Sequence, residues 1–302
     1  MAPSIVRAAA AALCTAAALT ACGPTETGPV IGVPQSVHVS HASASASDAI
    51  AAFQNALAAS LNDAVTTTGS DVTQLQSQIN ALNSDASLIA AERMSALKAL
   101  GAQAVASRVA FVQKLIGDVQ ADPLLPGTTV AGQSVPKTLI ARLQAVEGSL
   151  TSLGAKIAAD SLIDVVRTDI VAVASSSRVY GLISPMTHLV IAAGDIIHTT
   201  NNLNLQSQQL LEQITSGSSG DPNYSAEVNL SNQLQSVIRS ALSVAATAVQ
   251  QVESLQYSGA SPTATLSAQK LALGALNAPN GPLSNALSYI DQIRYLLGLR
   301  QH

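Results

Sequence analysis

Apolar side chains recur along most of this chain at alternating steps of three and four. That spacing lines one face of an α-helix and, when sustained, one seam of a coiled coil. The first stripe is Ile50, Phe53, Leu57, Leu61 and Ala64, opened by Ser47 as N-cap with Asp48 in the first turn. Residues 66–70, three Thr followed by Gly and Ser, interrupt it. The period restarts at Asp71 through Val72, Leu75, Ile79, Leu82, Ala86 and Ile89, passing Asn83-Ser84-Asp85 without losing phase. It continues through Leu97, Leu100, Ala104, Val112, Leu115 and Val119 to Asp122-Pro123.

Residues 122–135 then carry turn chemistry, with Pro123, Pro126, Gly127 and Gly132, and hold the one stretch that competes as a strand ribbon, 128–135. Their Leu124, Leu125, Val130 and Val135 are more apolar than a connector needs. Either they fold back onto the end of a bundle, the favoured case, or they form an exposed contact tip. Pro136 suits the first position of the next helix. Leu139, Leu143, Val146, Leu150, Leu153 and Ile157 hold its seam, and after a phase shift Ile163, Val166, Ile170 and Val173 resume it. Unbroken over 136–178, that helix would be about 65 Å long.

Ser184-Pro185 reads as N-cap and first position of another helix. Its seam, Leu189, Ala193, Ile196, Thr200, Leu203, Ser207, Leu210 and Ile214, turns polar in the second half, before a hinge at 216–222. A long helix over 225–256 follows, with Leu234, Ile238, Ala241, Ala245, Val249, Val252 and Leu255 inward. Two shorter pieces close the chain, 265–277 and 282–299. The pattern predicts an all-α fold: an elongated antiparallel helical bundle with coiled-coil-like packing, made of about five long helices and two short ones, over 47–302.

The N-terminus obeys a different rule. A short segment with the single basic residue Arg7 precedes an apolar run from Ala8 to Leu19, too short for the roughly 20 residues that span a bilayer. The run ends in Leu19-Thr20-Ala21-Cys22. This resembles the lipobox of bacterial lipoproteins. The resemblance covers about the first two dozen residues and implies that 1–21 is a cleaved signal, that Cys22 carries a diacylglycerol, and that the new N-terminus is acylated. Several acyl chains give firm anchoring where one gives only reversible binding. Gly23 rather than Asp follows the cysteine. The resemblance then implies the outer membrane in a Gram-negative envelope and the outer face of the cell membrane in a Gram-positive one. Residues 22–46, with Pro24, Pro29, Pro34 and a Ser/Ala run, read as a lipidated tether.

Composition narrows the partners. Loss of Arg7 with the signal leaves thirteen of the fourteen basic side chains against eighteen acidic ones. A mildly acidic chain is a poor match to nucleic acid, and 2% aromatic residues with no Trp give few stacking platforms. Cys14 leaves with the signal and Cys22 serves the anchor, so neither disulfide nor reactive thiol is expected in the mature chain.

The motifs of common chemistries are missing from the sequence. There is no Gly-x-Ser-x-Gly, no phosphate loop, and no His pair or Glu-x-x-His of a metal helix. The nearest approach to a site is the stripe His188, Ile191, Asp195 and His198, in which Asp195 and His198 are one turn apart. A solvated polar face is the expected role, without metal. Asp160, Asp164 and Arg167 pair carboxylates with a cation one turn on, again as an exposed face. Residues 170–197 contain only Arg178 and Asp195 as charged groups. This uncharged hairpin resembles helical pore-forming toxins in outline alone; burial at one end of the bundle is the favoured reading.

The sequence therefore predicts a lipid-anchored cell-envelope protein, non-enzymatic and without cofactor, that presents a helical surface to a protein partner or to its own copies. The alternatives are a membrane-engaging, pore-forming-like component and a carrier of an apolar small molecule. Replacing Cys22 by Ser tests the anchor: the variant should leave the detergent phase and lose normal processing in the producing bacterium. Normal processing with retained membrane binding would rule the lipid out.

Overall fold

The computed structural model describes residues 71–175, 178–217, 220–255 and 262–299, and these are helical almost throughout. The stripe beginning at Ile50, the tether, and the signal region with Cys22 lie outside the described residues. The helices are α1 (Asp71–Ser84), α2 (Ala90–Ala121), α3 (Val135–Ala159), α4 (Ile163–Ser175), α5 (Ser184–Ser216), α6 (Tyr224–Glu253), α7 (Pro262–Leu276) and α8 (Pro282–Leu299). A ribbon of β1 (Thr129–Val130) and β2 (Gln133–Ser134) joins α2 to α3. The fold is the all-α bundle that the apolar periodicity implies.

Several boundaries have clear local causes. Between α1 and α2 the chain breaks at Asp85, whose carboxylate accepts the backbone N–H and the hydroxyl of Ser87 and is thereby held below the usual carboxylate range. Arg93 closes the same turn by donating to the carbonyls of Asp85 and Leu88. The apolar phase passes through this break undisturbed, which is why the pattern alone left it undecided. After α2, Asp122 accepts the N–H of Leu124, and Thr128 bonds back to the carbonyl of Leu124 through its hydroxyl. The ribbon pairs Thr129 with Ser134 and Val130 with Gln133 across Ala131 and Gly132, both at positive φ as a tight two-residue hairpin requires. Leu124, Leu125, Val130 and Val135 are all buried, so the segment folds back onto the bundle and is not an exposed tip.

The expected helix over 136–178 does not run unbroken. It leaves helical geometry at Asp160, resumes as α4 at Ile163, and ends at Ser175. The phase shift between Ile157 and Ile163 is the trace of that joint, because six residues do not return a helix to the same face. Nor does Ser184 cap a new helix. Arg178, in the left-handed region at φ 43°, opens a π-helical turn over Val179–Ile183 that runs directly into α5. Ile183 and Ser184 donate to carbonyls five residues back, at Arg178 and Val179. Pro185 supplies the reason: it has no N–H, and its ring would collide with a carbonyl four residues earlier in a tight α-turn.

Named contacts define the packing. Lys98 Nζ donates to Ala158 O at 2.7 Å, Gly154 faces Val105, and Gln113 meets Glu147 at 2.7 Å, so α2 and α3 are antiparallel. Gly101 faces Ile170, Phe111 meets Tyr180, and Gly194 faces Leu125; the run α4–α5 therefore travels parallel to α2. α1 rests on α4 and α2. Beyond the ribbon, α5 continues alone and builds a second bundle with α6, α7 and α8. Ser207 bonded to Gln235 sets α6 antiparallel to α5. Gln269 against Gln251 places α7 beside the C-terminal part of α6, and Arg294 against Gln206 places α8 beside the second half of α5. At 33 residues, α5 alone is about 50 Å long, and it is common to both bundles.

The core follows this overlap. From Leu182 to Ile197 every residue is buried except His188 and Ile191, which are half-buried, whereas after Thr200 only Leu203, Ser207, Leu210 and Ile214 are covered. The closest approach is at Gly194, where an added Cβ would enter the volume of the Leu125 side chain. Gly194→Ala should thus cost about 1 to 3 kcal/mol by overpacking. Leu125→Val in the same chain should recover most of the lost melting temperature, and additive losses in the double variant would place the strain elsewhere.

Candidate functional site

The most concentrated chemistry among the described residues lies at the joint between α3 and α4. Asp160 ends α3 with extended backbone, its N–H donating to Lys156 O at 3.0 Å. Leaving the helix there points the chain back so that α4 brings Asp169 beside the last turn of α3. Lys156 Nζ then lies 2.8 Å from Asp169 Oδ1, and Asp169 is only 5% exposed. That bond to Asp169 raises the Lys156 pKa, with burial opposing it. The pair stabilises the fold at neutral pH, and its contribution is lost as pH rises through the raised lysine value. Asp160 is half-buried, and its carboxyl is pushed above the usual range, first by its hydrogen bond with Asp169, then by burial and by the Asp169 charge; Lys156 and Lys98 oppose the shift.

This grouping differs from the one expected along a single helix. Asp164 pairs with Arg167 at 3.3 Å on the open surface, where such a pair is worth little. Asp160 does not join them, because the break at 160 removes it from the face of α4. Lys156 and Asp169, thirteen residues apart, share no helical spacing. The phase shift at 157–163 was the signal that could have brought them together.

The stripe on α5 also departs from expectation. Asp195 is 2% exposed, and His188, Ile191 and His198 are half-buried, so this is not a solvated face. The cause is enclosure of α5 by helices of both bundles. No group of three or more His, Cys, Asp or Glu among the described residues could hold a metal ion. The lipidation residue Cys22 lies outside the described residues.

Two arginines that the apolar pattern passed over bind elements together. Arg108 is 2% exposed, although it occupies a seam position between Ala104 and Val112. Its Nη1 donates to Ala104 O at 2.8 Å, and its guanidinium lies 5.4 Å from the centre of the Tyr180 ring. Phe111 meets the same ring edge-on at 5.1 Å. The guanidinium thus gains a π face in place of water, fixing the π-turn against α2. The gap in the seam at 108 was legible as an interior position holding a cation. Arg142, on α3, donates to the carbonyls of Glu253 and Leu255 at the end of α6. It thereby satisfies carbonyls that a helix end leaves open, in the favourable polarity for a cation, and ties the first bundle to the second. Burial raises the Glu253 carboxyl pKa, with Arg142 opposing.

These elements define the class of the protein as an elongated all-α bundle whose assembled polar groups clamp helices to one another. Comparison with family models, with curated proteins and with solved structures returns no match to the chain.

Arg142→Ala should lower stability by about 1 to 3 kcal/mol by leaving half-buried carbonyls at the end of α6 without this donor. Its melting deficit should be larger at neutral than at acid pH, since Arg142 offsets the cost of ionising Glu253. A deficit that stays constant with pH would separate Arg142 from Glu253.

Proposed function

We propose that this is a lipid-anchored cell-envelope protein, non-enzymatic, whose helical body presents a surface to a protein partner or to other copies of itself. The observation that carries the reading is the joining of a lipobox-like Leu19-Thr20-Ala21-Cys22 to two overlapping bundles that share one helix of about 50 Å. In this reading residues 22–46 are the tether that leads from the anchor toward the helical body. Such a body holds surface well away from its point of attachment. Large apolar side chains remain exposed on three helices of the second bundle, Leu205 on α5, Leu271 on α7 and Tyr295 on α8, with Leu271 at 75% exposure.

The membrane-engaging reading rests on Ile163–Ser216, which is long and apolar enough by length and composition to cross a bilayer. It ranks second because 78% of that apolar window is buried inside the fold. Bilayer contact would require both bundles to come apart around α5.

A photo-crosslinking side chain placed at Leu205, Leu271 or Tyr295 in the producing bacterium tests the proposal, with buried Leu210 as control. A discrete protein adduct, or a dimer of the chain, at one of the exposed positions and not at 210 is expected. Adducts confined to lipid, or none at all three positions, would contradict it.

A further inference from the structure

The two carboxylates at the α3–α4 joint form an arrangement that a proton completes. Asp160 Oδ2 and Asp169 Oδ2 are both sealed from solvent, and no protein donor reaches either atom. The side chains are in hydrogen-bonding contact with each other, yet an ionised carboxylate offers only acceptors. Two ionised carboxylates placed this way repel in a poorly solvated spot.

We infer that the joint between α3 and α4 is a proton-binding site, in which one proton held between Asp160 and Asp169 ties the two helices across the break. The surroundings say which residue carries it. Asp169 is already engaged as an acceptor, by Lys156 Nζ at 2.8 Å through its other oxygen. Asp160 sits at the C-terminal end of α3, where the helix dipole disfavours a negative charge. Asp160 is therefore the acid, and its O–H donates to Asp169 Oδ2.

A divalent cation is the other occupant that facing carboxylates attract. The ammonium groups of Lys156 and Lys98 at the same joint oppose one, and no third metal-binding side chain joins the pair among the described residues. The charged groups facing the pair are Lys98 from α2, Lys156 from α3, and on α4 Asp164 and Arg167, which engage each other on the open side. Residues 73–84 of α1, which packs on α4, carry no charge.

The sign of the pH dependence follows. A group whose pKa is raised on folding contributes its stability in full below its unfolded value, about 3.9 for Asp, and loses it as pH rises through the folded value. The joint is closed in acid and loosens as the shared proton leaves. Below the joint, Ile170 on α4 packs over Gly101 on α2.

The test compares the full-length chain with Asp160→Asn, in which an amide N–H replaces the proton at every pH. Melting temperature and amide hydrogen exchange over 157–170 are followed from pH 3 to pH 8. The two proteins should coincide at the acid end and diverge as pH rises, with the wild type melting lower and exchanging faster in 160–169. Parallel curves across the whole range would overturn the inference. Asp169→Asn supplies a second arm that does not depend on the first variant folding. There Asp160 should ionise to accept the new amide, so its pH dependence should reverse sign relative to the wild type. A wild-type curve in that variant, or a rise in the wild-type melting temperature on adding magnesium or calcium, would replace the proton with another explanation.

Discussion

The fold depends on burying one nearly uncharged stretch, Leu182 to Ile197, in which every residue but the half-buried His188 and Ile191 is buried. A helix that is apolar around its whole circumference has no face to give to water and is stable only when surrounded. The chain meets this requirement by using the stretch twice. The stretch runs parallel to α2, with Gly194 facing Leu125, and the helix it belongs to, α5, also packs against α6, α7 and α8. Neither bundle closes without it. The surrounding helices have ordinary amphipathic seams and one wet face each, as α6 does with Leu234, Ile238, Ala241, Ala245, Val249 and Val252 buried.

Enclosing this helix also decides where polar groups go. The hydroxyls of Thr187 and Thr200, drawn into the interior with it, bond back to Ile183 and Ile196 and so keep partners without water. Arg108 lies over Tyr180, and Arg142 reaches the carbonyl end of α6, so each cation holds one element against another. A polar group in a helix interface costs little when its partner is also protein, and removal of that partner then exposes the full desolvation penalty.

The same economy bears on what the molecule can do. The joint at 160–162 and the π-turn at 179–183 are the two places where the central run bends, and each has a charged group beside it: Asp160 with Asp169 and Lys156 at one, Arg108 at the other. An elongated body of stacked bundles with a polar group at each bend is suited to holding a surface at a distance and to setting the angle between its parts.

The all-α class, the ribbon at 128–135, the folding back of Leu124 and Leu125, and most inward residues were legible in the sequence because helical amphipathicity is a local property: a stripe at steps of three and four states its own periodicity. Joints and pairings were not. Asp160 and Asp164 have ideal spacing for neighbours on one helix, yet the break between them sends Asp160 to Asp169, and spacing along a chain says nothing about a contact made across a turn. Asp195 looked like part of a wet face because its own helix offers His188 and His198 beside it; the helices that cover it come from elsewhere in the chain. Ser184-Pro185 announced an interruption, but that the chain widens into a π-turn there, with Tyr180 packed against Arg108 and Phe111, and runs on into α5 is visible only in the folded chain. Sequence alone determined the elements and their faces, since those follow from each residue's own periodic position. Tertiary structure decided which faces meet, which charges are buried and where the long helices bend, since each of these is set by groups that come together only when the chain closes on itself.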